Sequence, residues 1–170
     1  RAAAARISEQ WLGRGVGGML DELGDLASDP SPRVRLQLAA SLGAVPGAGA
    51  DSLRAVLLTD SPEQPYLAEA VLTGLEGREV AFLEYVAENG LLDGNMRVQA
   101  EALRLIAATV TNGRAPREID RMLRLGNTEA PWSRWYLAAV LRGIERVVPD
   151  GPPEATRPLR LAGELPALTR

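Results

Sequence analysis

Asp29-Pro30-Ser31-Pro32-Arg33-Val34-Arg35-Leu36-Gln37-Leu38-Ala39-Ala40-Ser41-Leu42-Gly43 is the stretch on which the fold turns. Two prolines within four residues forbid a helix through Pro30, yet Pro32 suits the first position of a new one, with Ser31 as its N-cap. Behind it, Val34, Leu38 and Leu42 recur at helical spacing and extend to Val45. Gly43, Pro46 and Gly47 then withdraw helical support, which predicts a helix over 33–45 with one apolar stripe.

Outward from this segment the same alternation continues. Met19, Leu20, Leu23, Leu26 and Ala27 predict a helix over 19–28, closed by Ser28-Asp29-Pro30. Asp51-Ser52 starts a short helix bearing Leu53, Val56 and Leu57, which Asp60-Ser61-Pro62 ends. Further helices are expected over 66–75, 78–88, 95–110, 116–125 and 131–148, each bounded by Gly, Pro, Asn or Asp.

Composition agrees. Of 170 residues, 46% are hydrophobic but only 4% aromatic, so the core is built from Ala and straight aliphatic chains, which helices accommodate better than sheets. The longest apolar run, around 100–110, is broken by Glu101 and Arg104 and is no membrane span. The fold class expected is all-α.

Histidine and cysteine are both absent, which removes imidazole bases, thiolate nucleophiles and the usual zinc, copper and haem ligands. No cofactor, no metal and no catalytic residue is therefore assigned. Nineteen basic residues, all arginine, against twenty-two acidic ones give a net charge of −3 without a basic stripe, which disfavours a duplex-binding surface. Glu84 with Glu88, and Glu63 with Glu69, stand at helical spacing but read as solvated faces, since no apolar pocket or partner base accompanies them. The run Gly13-Arg14-Gly15-Val16-Gly17-Gly18 fits neither nucleotide-binding fingerprint and lacks a preceding strand, so it reads as a lead-in to the first complete repeat. Trp132, Trp135 and Tyr136 open an otherwise apolar helix and read as core packing or end-capping rather than a platform.

Short connections between helices invite a search for a repeat. Aligning alternate helices sets Val34 with Leu67, and Leu38 with Val71, Leu103 and Leu141, a period of roughly thirty-odd residues. The segment 29–43 looks like the turn and second helix of a HEAT repeat, and 93–103 is a weaker copy. On that pattern Asp29 and Asp93 cap turns, while Arg35 and Arg97 form a ladder toward neighbouring repeats.

The expected architecture is a HEAT-like α-α superhelix, a solenoid of about four helix pairs. Residues 1–18 form a partial helix and Gly-rich lead-in, 19–148 the repeats, and 149–170 a Pro-rich extended linker toward a following module. Second helices line the concave side, where Arg33, Gln37, Glu69, Glu101 and Arg104 are the candidate binding groups for a protein partner or for neighbouring domains of the same chain. A nucleic-acid-binding HEAT-like domain and a carboxylate-only enzyme are the alternatives from other classes.

A narrower resemblance covers roughly residues 20–168. The strings 29–43, 72–83 and 132–143, with Pro158-Leu159-Arg160-Leu161 behind them, resemble the HEAT-repeat segment of planctomycete-type membrane-bound dehydrogenases. The resemblance implies a non-catalytic arm between a quinone-dependent sugar-dehydrogenase-like propeller and a c-type cytochrome module, in a periplasmic or extracytoplasmic setting, with no direct membrane insertion of this piece. The cytochrome's Cys-x-x-Cys-His has no counterpart here, because the chain has neither residue. An opening on Arg1 rather than Met is read as the start of an excised segment.

Overall fold

The computed structural model describes residues 1–12, 18–45, 47–60, 64–92 and 96–147, the side chains of 96–98 excepted. The described residues are helical, with no strand among them. In order they form α1 (Ala2–Leu12), α2 (Met19–Gly24) running into a 3-10 turn (Asp25–Ser28), α3 (Pro32–Leu42), α4 (Ala48–Asp60), α5 (Leu67–Thr73), α6 (Glu79–Glu88), α7 (Met96–Asn112), α8 (Pro116–Leu125) and α9 (Ser133–Val147). The all-α expectation holds. The Gly-rich run at 13–17, Asp93 and the stretch 149–170 lie outside the described residues.

Local chemistry explains the boundaries. Ser31 is the extended N-cap residue and Pro32 opens α3, as the sequence implies, but no side chain caps the helix; Asp29 instead closes the preceding turn, its Oδ1 accepting the Ser31 N–H at 2.9 Å. The next helix begins earlier than Asp51. Gly47 takes a left-handed φ of 111° that turns the chain, and α4 starts at Ala48, with Ala50 already buried. Gly49 lies close under Leu20, whose Cδ1 would be 3.2 Å from an added Cβ, so packing overrides glycine's weak helical preference. The expected helix 19–28 tightens to a 3-10 turn before Asp29, as helix ends often do.

Two compact units result, Arg1–Arg78 and Glu79–Arg170. In the first, α1 packs on α3 and α3 on α5, one layer in sequence order, while α2 with its 3-10 turn and α4 form the layer behind. Leu38, Ala39, Leu42, Leu57, Leu67 and Val71 fill the space between them and are closed to solvent. Each such leucine contributes about 1.5–3 kcal/mol by burial, more than any single surface ion pair. In the second unit, α7 packs along α9 while α6 packs on α8. Val80, Phe82, Leu83, Ile106, Ile119, Met122 and Val140 form its core.

The α9 register departs from the repeat alignment. Leu38, Val71 and Leu103 are buried, but Leu141 is 45% exposed and Val140 takes the interior position. Gly143 decides this. An added Cβ there would lie 2.7 Å from the Ala107 Cβ and would strike the Arg104 carbonyl, so the two helices meet backbone to backbone at that point. Rotating Gly143 inward brings Tyr136, Ala139 and Val140 inward with it and turns Leu141 out.

Candidate functional site

The five candidate binding residues fall in both units. In the first, Arg33 and Glu69 are exposed, on α3 and α5. Gln37 is engaged: its Nε2 donates to Glu9 Oε1 at 3.4 Å and Ser41 Oγ at 3.3 Å, and Ser41 Oγ donates to the same Glu9 oxygen at 2.7 Å. These bonds tie α1 to α3 and leave Gln37 little freedom to meet a ligand.

The turn before α3 holds Asp29 and Arg35. Asp29 is buried and pairs through Oδ2 with Arg1 at 3.0 Å. Arg35 donates through Nη1 to the Asp29 carbonyl and through Nε to Gln64 Oε1 at 2.8 Å. Gln64 in turn donates to the Pro32 carbonyl at 2.7 Å, so the turn ahead of α5 is clamped onto the start of α3. The corresponding Asp93 and the Arg97 side chain lie outside the described residues.

The most buried charge in the first unit was not singled out by sequence. Arg54 is fully buried beneath the ends of α3 and α5. Its Nη1 donates to Asp51 Oδ1 at 2.6 Å, and its Nη2 to the carbonyls of Leu42 at 2.5 Å, Val45 at 2.9 Å and Gly74 at 3.4 Å. The guanidinium thereby satisfies carbonyls that helix ends leave without intrahelical partners, where the helix dipole also favours a cation. Burial lowers the Arg54 pKa from its ordinary value, while the hydrogen bond and charge of Asp51 raise it. Asp51 Oδ2 also accepts Arg78 Nη2 at 2.8 Å. Only the i, i+3 spacing of Asp51 and Arg54 hints at this arrangement, and that spacing is common on exposed helix faces.

In the second unit Glu84, Glu101, Glu118 and Asp120 are paired to arginines. Arg121 on α8 donates to Glu84 on α6 at 2.6 and 3.2 Å and to Glu118 at 2.9 and 3.0 Å. The hydrogen bonds to Glu84 and then Glu118 raise its pKa. Glu63 lies outside the described residues. Tyr136 is buried, donates its hydroxyl to the Met122 carbonyl at 3.0 Å, and packs edge-on against Trp132 at 5.6 Å. Ser133 Oγ donates to the Gly126 carbonyl, fastening the end of α8 to the start of α9.

Glu101 and Arg104 are ion-paired and sit together on the rim of a groove of about 450 Å³ between α7 and α9. Ala100 completes the α7 side, and Trp135, Ala138, Ala139 and Arg142 form the α9 side. The Arg104 Nε is buried without a hydrogen-bond partner among the described residues. Trp135 and Arg142 were not among the sequence candidates for binding; their i, i+7 spacing on α9 places them on one face, but only the position of α7 makes that face a groove.

Among the described residues, no set of His, Cys, Asp or Glu could hold a metal ion, and no helix is long and apolar enough to cross a membrane. Comparison with family models, curated proteins and solved structures gave no match to this chain.

Proposed function

We propose that this chain is a non-catalytic helical-repeat docking domain, a HEAT-like scaffold whose exposed polar surface holds another protein or neighbouring domains of its own chain. The observation that carries the reading is the order of packing in the first unit. Helices α1, α3 and α5 follow one another in a single layer while the intervening helices back them, as expected when each repeat buries its apolar stripe only against its neighbours. The charges support it too: Asp51, Arg54, Arg78, Glu84 and Arg121 are spent on one another and on helix ends rather than gathered round a reacting centre.

On the resemblance of its sequence to membrane-bound dehydrogenases, the proposed setting is between an electron donor module and its acceptor, outside the cytoplasm. In that setting the scaffold positions two redox modules without touching a cofactor itself.

Site-specific photocrosslinking tests the reading. A photoreactive residue at Arg33, Glu69 or Glu101 is expected to give one discrete protein adduct, and the same group at Arg117 on α8 is not. Adducts from Arg117 alone, or none from any site, would remove the docking assignment. An adduct with a c-type cytochrome module supports the dehydrogenase context, whereas a stable adduct with an unrelated protein discards that context and keeps the scaffold.

A further inference from the structure

We propose that the groove between α7 and α9 receives an acidic peptide segment carrying a bulky apolar side chain. This rests on the docking reading and specifies the chemistry of one partner.

The groove follows from residue size. Trp135, Ala138, Ala139 and Arg142 stand at i, i+3, i+4 and i+7 on α9 and share one face. Gly143, the next residue, brings the α9 backbone against Arg104 and Ala107, which fixes the spacing of the two helices. Large side chains on both helices would close such an approach. Alanines at 100, 138 and 139 leave it open beside the half-buried Trp135 indole. At about 450 Å³ the space is within the range of ligand-binding clefts and suits a bulky side chain and its neighbours.

Charge selects the occupant. The one lining carboxylate, Glu101, is engaged by Arg104. Arg142 is exposed and has no hydrogen-bond or ion-pair partner among the described residues, and the Arg104 Nε is likewise unpartnered. One surplus guanidinium thus stands at the rim of an apolar trough with an aromatic wall. A carboxylate reaching Arg142 gains a charge-assisted hydrogen bond while its apolar neighbour covers the indole. Tryptophan and arginine side by side are the residue types that concentrate binding energy in protein interfaces. Nucleic acid fits poorly, because one surplus charge neutralises too few phosphates to hold a backbone.

Panning random dodecapeptides displayed on phage against the full chain tests this. The enriched peptides are then measured against Arg142→Glu and Ala138→Trp, both at exposed positions, with circular dichroism melts checking the fold. Enriched sequences are expected to combine a bulky apolar residue with a nearby Asp or Glu, and to bind each variant at least about tenfold more weakly, a loss of about 1.4 kcal/mol. Enrichment of basic or uncharged peptides, or of none, overturns the proposal. Peptides that ignore both groove substitutions but lose binding on reversal of Arg33 or Glu69 also overturn it, while leaving the wider docking reading intact.

Discussion

Gly74 meets Gly43 backbone to backbone: a Cβ added to Gly74 would lie 2.8 Å from the Gly43 Cα. The ends of α3 and α5 touch there, and both residues have right-handed backbone angles, so glycine is required by space and not by conformation. The contact lets one arginine beneath it serve both helix ends.

Gly74→Ala is accordingly expected to destabilise by about 1–3 kcal/mol, the range for overpacking where backbone must move. Gly24 is the contrasting case, helical and with only Leu53 Cδ2 near, at 3.9 Å. Gly24→Ala should stabilise by about 0.4–1 kcal/mol through the unfolded chain's lost freedom. Urea titrations of both variants check the pair. Equal effects would mean that the close approach is not constraining.

Arg54→Leu is expected to cost about 3–5 kcal/mol, because it removes the buried partner of Asp51, leaving that carboxylate only Arg78, and takes one donor from each of three carbonyls. Arg78, partly exposed, shares the same carboxylate. Its replacement by Leu should cost only about 1 kcal/mol, since water screens the pair. Denaturant midpoints of the two variants give the ranking; a reversed order would contradict the assignment of Arg54 as the clamp between helix ends.

Tyr136 predicts a pH dependence. Burial pushes its phenol above the ordinary tyrosine pKa, with the Glu84 charge adding to the shift. The neutral form is favoured in the folded chain, so the contribution is fully present below pH 10.0, the ordinary value, and is lost as pH rises beyond it and the unfolded chain ionises. Tyr136→Phe should cost about 1 kcal/mol at neutral pH, through the lost bond to the Met122 carbonyl, and flatten the alkaline decline. Unfolding curves at pH 8 and 11 separate the outcomes. Parallel decline of both proteins would place the alkaline sensitivity elsewhere.

The placement of helices was legible from the chain alone, because backbone chemistry is local. Pro32 and Pro116 each open a helix, Gly43 and Gly126 stand just after one, and Val34, Leu38 and Leu42 face the core as their spacing requires, while Val45, expected in the same helix, is buried in the turn after α3 ends at Leu42. Leu141 escaped, since its rotation is set by a glycine contact with another helix rather than by its own neighbours.

What the sequence determined by itself was therefore helix type, most boundaries and the aliphatic character of the core, all consequences of which residues lie within one or two turns. Tertiary structure decided which polar side chains are free. Gln37, a binding candidate on sequence grounds, is tied into the fold, and Arg54, to which its sequence neighbourhood assigns no role, is fully buried, whereas Trp135 and Arg142 become a candidate site only when α7 is set beside α9. Spacing along a helix fixes the face a side chain shares, but exposure depends on which helix covers that face, and distant residues supply the covering helix.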